Sequence, residues 1–187
     1  MRVALLLLTA TLCVAEDRND VEFARPNGVS LTLDLHTPEG KRPAPTVIIV
    51  HGGGWVNGNK RTYVTPLFEP LTKAGFAWFT INYRLAPQYP YPAALEDVQS
   101  AIRWVRANVV RYNLDPKRIV LMGESAGGHL VALAAAKKAK GAEVNAVVDF
   151  YGAHDLVKRE KERGEPNKNI QQFFGVEKLD EAGDTRG

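Results

Sequence analysis

The sequence predicts an α/β fold, with a mostly parallel sheet and helices on both of its faces. Short apolar runs, typical of strands buried on both sides, alternate along the chain with segments of helical periodicity. Such alternation favours right-handed strand–helix–strand units. Glycine-rich turns follow directly on two of the apolar runs. The chain has 187 residues, of which 45% are hydrophobic and 24% charged. That is enough for one domain with a sizeable core.

The first half of the chain supplies three predicted strands and one helix. Residues 30–36 carry leucine at alternate positions, which predicts an outer strand with one buried face. Residues 46–50 form a continuous apolar run, as expected for a central parallel strand. A helix is predicted over 62–74, ended by Gly75, and a second buried strand over 76–82.

The second half continues the alternation. Residues 93–111 give the clearest helical pattern, with apolar side chains three and four positions apart. A turn at 113–116 leads into a strand over 118–122. An alanine-rich helix over 126–138 and a strand over 146–151 follow. Beyond residue 157 the sequence becomes charged and rich in turn residues, with one apolar cluster at 170–174.

The N-terminal residues 1–15 resemble a secretory signal peptide. Arg2 precedes an apolar run of about a dozen residues, and Ala15 precedes a polar stretch. The run is short for a membrane span, so we expect export to the periplasm or medium and no span in the mature chain. A buried N-terminal helix or an uncleaved anchor is the alternative. The single cysteine, Cys13, lies within this segment, so we expect no disulfide and no cysteine-based metal site in the mature protein.

Composition argues against some partners. The net charge is +3, which gives no reason to expect binding to nucleic acid or to an anionic membrane surface. The basic cluster at 158–163 is interleaved with Glu160 and Glu162, as in a solvated surface segment. We expect no cofactor and no metal ion.

The most informative stretch is Gly-Glu-Ser-Ala-Gly at residues 123–127. It joins the predicted strand at 118–122 to the alanine-rich helix. In this strand–turn–helix context the pattern G-x-S-x-G predicts a sharp turn that exposes the hydroxyl of Ser125 as a nucleophile. The flanking Gly123 and Gly127 leave room for the turn.

A second motif, His-Gly-Gly-Gly at residues 51–54, follows the strand at 46–50. Three consecutive glycines allow a loop whose backbone N–H groups face outward without obstruction by side chains. Such N–H groups stabilise the negative charge that develops on a carbonyl oxygen during acyl transfer. A phosphate-binding loop is excluded because no Gly-Lys-Ser/Thr follows. The two motifs together predict a serine nucleophile with an oxyanion hole.

Three ordered motifs carry a resemblance to a known family: residues 51–55 (HGGGW), 82–87 (NYRLAP) and 123–128 (GESAGG). Together they resemble the α/β-hydrolase serine esterases of the hormone-sensitive-lipase and acetyl-esterase group. Residues 128–130 (GHL) and 149–152 (DFYG) are similar to the bacterial feruloyl/acetyl-xylan esterase-like branch, BD-FAE. The resemblance covers about residues 29–175, with residues 176–187 as a polar tail. It implies the α/β-hydrolase fold and an ester substrate, either a small molecule or linked to a polysaccharide.

The resemblance also implies roles for individual residues. Ser125 attacks the ester carbonyl and forms an acyl-enzyme, while Gly53, Gly54 and Ala126 supply the oxyanion donors. His51 corresponds to a position that organises the loop and not to a base. Gly52, Gly123, Glu124 and Gly127 support the two motifs.

Other polar residues have simpler explanations. We expect Arg84 and Asp97 to form a structural pair, Glu124 to act electrostatically near the helix terminus, and His129 to be a packing or capping histidine. Trp55 and Tyr83 either line a substrate cleft or cover the sheet.

The base and acid of a triad are not evident. In this fold the order is serine, acid, histidine, and the resemblance places the last two after later strands. Only one strand is predicted after Ser125, so we expect the late strands to be missing and the hydrolase domain to be incomplete at its C-terminus. Asp155 is a candidate acid, but a helix N-cap is the simpler role. His154 is its neighbour and would point away from it. The base is left unassigned.

Three functions follow from these expectations. The first is an exported serine carboxylesterase for short acyl or aryl esters, including plant polysaccharide esters. The second is an inactive fragment or pseudoenzyme that keeps the fold. The third, an oligopeptidase, is disfavoured because no large extra domain is present. The strand at 146–151 would lie at an open sheet edge, which predicts self-association.

Overall fold

A single six-stranded sheet organises the part of the chain that the structure describes. The structure is a computed structural model and describes residues 14–177. Most of the predicted signal peptide and residues 178–187 of the predicted polar tail lie outside that range. The sheet order is β1-β2-β4-β3-β5-β6. The strands are β1 Glu16–Ala24, β2 Leu31–Thr37, β3 Ala44–Val50, β4 Ala77–Ile81, β5 Leu114–Glu124 and β6 Ala146–Phe150.

Five α-helices complete the described fold: α1 Phe68–Lys73, α2 Ala93–Ala107, α3 Ala126–Lys137, α4 Leu156–Arg163 and α5 Lys168–Phe174. Strands β4, β3, β5 and β6 are parallel, whereas β2 pairs antiparallel with β4 and β1 pairs antiparallel with β2. The predicted α/β architecture with a mostly parallel sheet is confirmed. Within residues 14–177, no helix combines the length and the apolar character that crossing a membrane requires.

The core lies on both faces of the sheet, as predicted. Helices α2 and α3 pack on the face that carries Ile48, Phe79 and Leu121. Residues around α1 cover the opposite face, which carries Val47 and Ile49. Strand β3 is buried on both sides because its parallel neighbours and both helical layers cover it.

The first predicted strand was placed wrongly. Strand β2 is not an outer strand, because β1 pairs along its free edge. Its second face is also covered, and it buries Asp34 and His36. Asp34 accepts the Asp20 N–H (2.9 Å) and pairs with Lys60 (3.3 Å). These partners make the burial of a charged group in the strand tolerable.

The predicted helix over 62–74 is shorter than expected. Tyr63 has φ of 62°, which a right-handed helix does not allow. A 3₁₀ turn at Thr65–Leu67 then leads into α1, which is only six residues long. Pro70 is accommodated in the first turn of α1, where its missing N–H has no helical partner to lose.

Two other boundaries shift. Helix α2 ends at Ala107, four residues before the predicted end, because the side chain of Asn108 donates to the Trp104 carbonyl oxygen (2.8 Å) and competes with helix continuation. Strand β5 begins at Leu114, which pairs with Ala44. The predicted turn at 113–116 is therefore a register shift inside a longer strand.

The charged region after residue 155 contains two helices that the sequence analysis did not predict. Ile170 and Phe173 of α5 are each 1% exposed, so the apolar cluster at 170–174 does join the core.

At one end of the sheet order, β6 pairs with β5 on one side, and no other strand of residues 14–177 pairs with its second edge.

Candidate active site

Ser125 occupies the turn between β5 and α3 in a conformation that few residues adopt. Its φ is 52° and its ψ is −116°. Its N–H donates to the Phe150 carbonyl oxygen of β6 (2.9 Å), and its carbonyl oxygen accepts the His129 N–H (3.0 Å). A strained turn of this kind directs the serine side chain out of the sheet. The predicted sharp corner is therefore present.

The oxyanion loop lies beside this corner. Gly53 and Gly54 both have positive φ (106° and 60°), which side chains disfavour. Gly53 accepts hydrogen bonds from the N–H groups of Val56 and Asn57 (3.3 and 3.1 Å), which close the loop. Among residues 14–177, the N–H groups of Gly53, Gly54 and Ala126 donate to no protein acceptor. Unpaired amides of this kind are what an oxyanion hole requires.

His51 holds the start of this loop. The side chain is 1% exposed, its Nδ1 lies 2.7 Å from the Gly52 carbonyl oxygen, and its ring stacks on Tyr83 with centroids 4.3 Å apart. Burial lowers the pKa of His51 to about 4, although the Gly52 contact opposes the shift. A neutral, enclosed ring of this kind is compatible with the loop-organising position that the resemblance implies.

Glu124 links the two motifs. Its Oε1 accepts the Gly52 N–H (2.9 Å), so the residue before the serine is bonded to the oxyanion loop across 72 positions of sequence. Its charge is also the main reason that the pKa of the nearby Tyr151 is raised. The electrostatic role near the helix terminus stays a prediction, and the contact that fixes the Glu124 side chain is this hydrogen bond between loops.

A cavity of about 270 Å³ joins the serine to the oxyanion loop. Its described lining comes from both motifs, from the segment after β6, and from the region of α4 and α5. The lining residues are Gly54, Trp55, Ser125, Ala126, Tyr151, Ala153, Arg159, Asn167, Asn169 and Ile170. The structure thus brings Ser125, Gly54 and Ala126 together, while Gly53 lies in the loop outside the lining.

Aromatic residues support the cavity. Trp55 is 5% exposed and stacks on Phe173 with centroids 4.8 Å apart. His129 meets Trp55 edge to face at 5.4 Å, and burial lowers the pKa of His129 to about 4. His129 is a packing residue, as expected. Trp55 lines the cavity, whereas Tyr83 lies below the loop and donates to the His51 carbonyl oxygen (3.1 Å).

None of the four histidines bonds to the Ser125 hydroxyl in the described structure. His36 pairs with Asp17 of β1, and His51 and His129 are held as described above. The Nε2 atom of His154 lies 2.5 Å from Oδ2 of Asp149.

The candidate acid, Asp155, caps a helix. Its Oδ1 accepts the Lys158 N–H (2.8 Å) at the start of α4, so the simpler of the two predicted roles is the one observed. Sequence analysis missed the pairing of His154 with Asp149. One part of this arrangement has a signal in the sequence. The spacing Asp-x-x-Gly permits a turn in which the aspartate side chain accepts the glycine N–H, and the Asp149 side chain does accept the Gly152 N–H (2.8 Å).

Arg84 and Asp97 form the predicted structural pair. The guanidinium Nη2 of Arg84 lies 2.7 Å from Oδ1 of Asp97, and both side chains are buried. The Asp97 carboxylate also accepts the backbone N–H of Arg84 (2.8 Å). The pair fastens the loop after β4 to α2 and lies outside the cavity.

Comparison with known proteins gives a consistent result. The chain is 35% identical over 160 residues to Esterase LipQ of Mycobacterium tuberculosis, an alignment that covers 78% of this chain and 38% of LipQ. It is 37% identical over 125 residues to the probable carboxylic ester hydrolase LipM of the same organism, covering 62% of this chain and 29% of LipM. The chain therefore spans less than half the length of these curated relatives.

A solved structure is also similar. It is described as a truncated form of carbohydrate esterase from gut microbiota, and it superimposes with a TM-score of 0.76 and 29% sequence identity, covering 87% of this chain and 66% of that one. The BD-FAE family model matches residues 33–183, which is most of the sequence and includes both site motifs. On this match the chain belongs to the BD-FAE family of α/β hydrolases.

Proposed function

We propose that the protein is a serine carboxylesterase that acts on short acyl or aryl esters. The observation that carries the proposal is the shared cavity, in which the Ser125 hydroxyl lies with the unpaired N–H groups of Gly54 and Ala126. A cavity of about 270 Å³ is at the small end of ligand sites, which favours a short acyl or single-ring group.

The chemistry follows from these groups. The Ser125 oxygen attacks the ester carbonyl carbon, and the carbonyl oxygen takes up negative charge next to the two amides. The alcohol leaves with the proton that the serine gave up, and an acyl-enzyme forms. Water then attacks the acyl-enzyme and releases the acid. Each backbone donor is expected to contribute roughly 3 kcal/mol to the stabilisation of the tetrahedral intermediate.

The proton acceptor is part of the proposal. Since none of the four histidines bonds to the Ser125 hydroxyl in the described structure, we assign the base and its orienting acid to chain outside this sequence. The length of the relatives, of which this chain matches less than half, supports that assignment. The carbohydrate esterase among the structural neighbours supports polysaccharide-linked esters as natural substrates.

The test compares hydrolysis of p-nitrophenyl acetate by this chain and by a form extended at its C-terminus. We expect turnover by the extended form and its loss, by several orders of magnitude, in Ser125→Ala. Ser100→Ala is the matched control, because the partner of the Ser100 hydroxyl among the described residues is the Glu96 carbonyl oxygen on α2 (2.8 Å). Absence of turnover in both forms, or turnover that survives Ser125→Ala, would contradict the proposal.

A second candidate is a non-catalytic protein that keeps the fold and the cavity. The absence of a hydrogen bond between any histidine and Ser125 in the described residues favours it. A fluorophosphonate probe separates the two candidates, because it forms a covalent adduct only with an activated serine. Rapid labelling of Ser125 would exclude the non-catalytic candidate, whereas an unreactive Ser125 in the extended form would support it.

A further inference from the structure

We propose that Arg159 makes this site selective for esters that carry a carboxylate. The inference rests on the proposed esterase function and specifies its substrate class. Arg159 belongs to α4 and lines the same cavity as Ser125. Among the described residues of that lining, it is the one that bears a formal charge at neutral pH.

Arg159 has no partner among the described residues that would neutralise its charge. Within residues 14–177, its guanidinium forms no ion pair and no hydrogen bond with another side chain. Two other basic residues on the same helix are paired: Lys158 lies 3.7 Å from Glu162, and Arg163 lies 3.9 Å from Glu165. Arg159 lines the cavity and is exposed, so its guanidinium is available for a ligand, and the planar set of donors suits a carboxylate.

The other polar groups of the cavity are also donors. Asn167 uses its Oδ1 to accept the N–H groups of Asn169 and Ile170 (3.0 and 3.4 Å), which leaves its NH₂ group as the unused part of the amide. The side-chain amide of Asn169 packs against Gly54, where any added Cβ would collide with its Nδ2. Together with the amides of Gly54 and Ala126, these groups present N–H donors and favour an electron-rich ligand.

Three carboxylates lie next to the lining without being part of it. Glu124 accepts the Gly52 N–H and raises the pKa of Tyr151, Glu160 accepts the Asn167 N–H (2.9 Å), and Asp149 is bonded to His154 and Gly152. None of the three belongs to the described lining, so the charge that an anionic substrate meets within the lining is that of Arg159.

The test uses two pairs of esters that differ only in charge. In 4-acetoxybenzoate and its methyl ester, the carboxylate lies on the leaving group. In 4-nitrophenyl 4-carboxybenzoate and its methyl ester, it lies on the acyl group. We expect Arg159→Gln to lower kcat/KM for the anionic member of at least one pair by about tenfold and to leave the neutral member within about twofold. The preference should weaken at high salt.

Arg163→Gln is the matched control, since it removes one positive charge from the same helix outside the cavity. Arg159→Lys should restore part of the preference. An equal effect of Arg159→Gln on charged and neutral esters in both pairs would overturn the proposal, as would an equal loss of anion preference in Arg163→Gln.

A binding measurement separates this proposal from the esterase proposal. The amide analogues 4-acetamidobenzoate and its methyl ester are titrated by calorimetry into the Ser125→Ala form of the 187-residue chain. We expect the carboxylate to bind more tightly than its methyl ester and this difference to disappear in Ser125→Ala with Arg159→Gln. If the chain hydrolyses no ester but keeps that difference, only the esterase proposal fails. If the carboxylate shows no advantage, the inference about Arg159 fails, whatever the activity.

Discussion

At the scale of single residues, Gly127 shows how closely the nucleophile turn packs on the sheet. A Cβ at this position would collide with the backbone carbonyl oxygen of Val50 at the end of β3. That atom is backbone and cannot move aside, so Gly127→Ala should displace α3 and destabilise the protein by at least about 2 kcal/mol. A urea titration measures the loss as a lower unfolding midpoint.

The control for this prediction is Gly40→Ala. The nearest atom to a Cβ there is the Arg42 carbonyl oxygen at 3.9 Å, an ordinary contact. We expect its midpoint to stay close to that of the parent chain. A Gly127→Ala midpoint equal to that of Gly40→Ala would show that the helix and strand are not tightly apposed.

Residues of the site differ in how readily the sequence predicts them. Ser125, Gly54 and Ala126 belong to motifs whose local geometry is set by glycine and by the strand–helix junction. Their place in the site could therefore be predicted from the sequence. Arg159 and Asn169 carry no such local signal. Arg159 reaches the cavity from α4 and Asn169 from α5, whose Phe173 stacks on Trp55, and composition does not encode such tertiary placement.

At the scale of elements, β6 is the most exposed strand of the described sheet. Its second edge has no strand partner within residues 14–177, and Val147 and Phe150 are 36% and 37% exposed. Unpaired N–H and C=O groups beside exposed apolar side chains promote pairing between chains. We predict concentration-dependent self-association of the 187-residue chain in light scattering, and a marked reduction of it in Val147→Lys.

Val110→Lys serves as the control for that prediction, because Val110 is 92% exposed and lies after α2, away from the strand edge. It adds the same charge without touching β6. A monodisperse monomer at high concentration, or equal solubilisation by the two lysine variants, would contradict pairing at this edge.

The elements also show where pattern reasoning works and where it does not. Strands β3 and β4 and helix α2 were predicted because burial imposes a period on their apolar residues. Strand β1 was missed because its sequence is largely charged, and it is ordered by pairing with β2 along an edge. The helix predicted over 62–74 was too long, because helix propensity does not reveal that the Tyr63 backbone lies in the left-handed region.

At the scale of the whole molecule, stability should depend on pH through two buried histidines. Burial lowers the pKa values of His51 and His129 to about 4, whereas the unfolded chain titrates near 6.5. Between these values the unfolded state binds more protons. The stabilisation is thus complete above about pH 6.5 and is lost as the pH falls towards 4.

We predict that the free energy of unfolding falls by on the order of 2 kcal/mol per histidine between pH 7 and pH 5. Urea titrations at several pH values measure this slope. His129→Met should shrink it by about half, because one of the two buried rings is removed. A slope unchanged by His129→Met would show that this ring does not contribute to the dependence.

The hydrogen bond from the Ser125 N–H to Phe150 ties the reactive corner to the last described strand. Deuterium exchange at this single amide consequently reports whether β6 is docked. Any condition that frays β6 exposes the Ser125 amide proton to solvent. The same event loosens the backbone that positions the Ser125 hydroxyl. A ligand that slows deuterium exchange at the Ser125 amide therefore stabilises both β6 and the turn that carries Ser125.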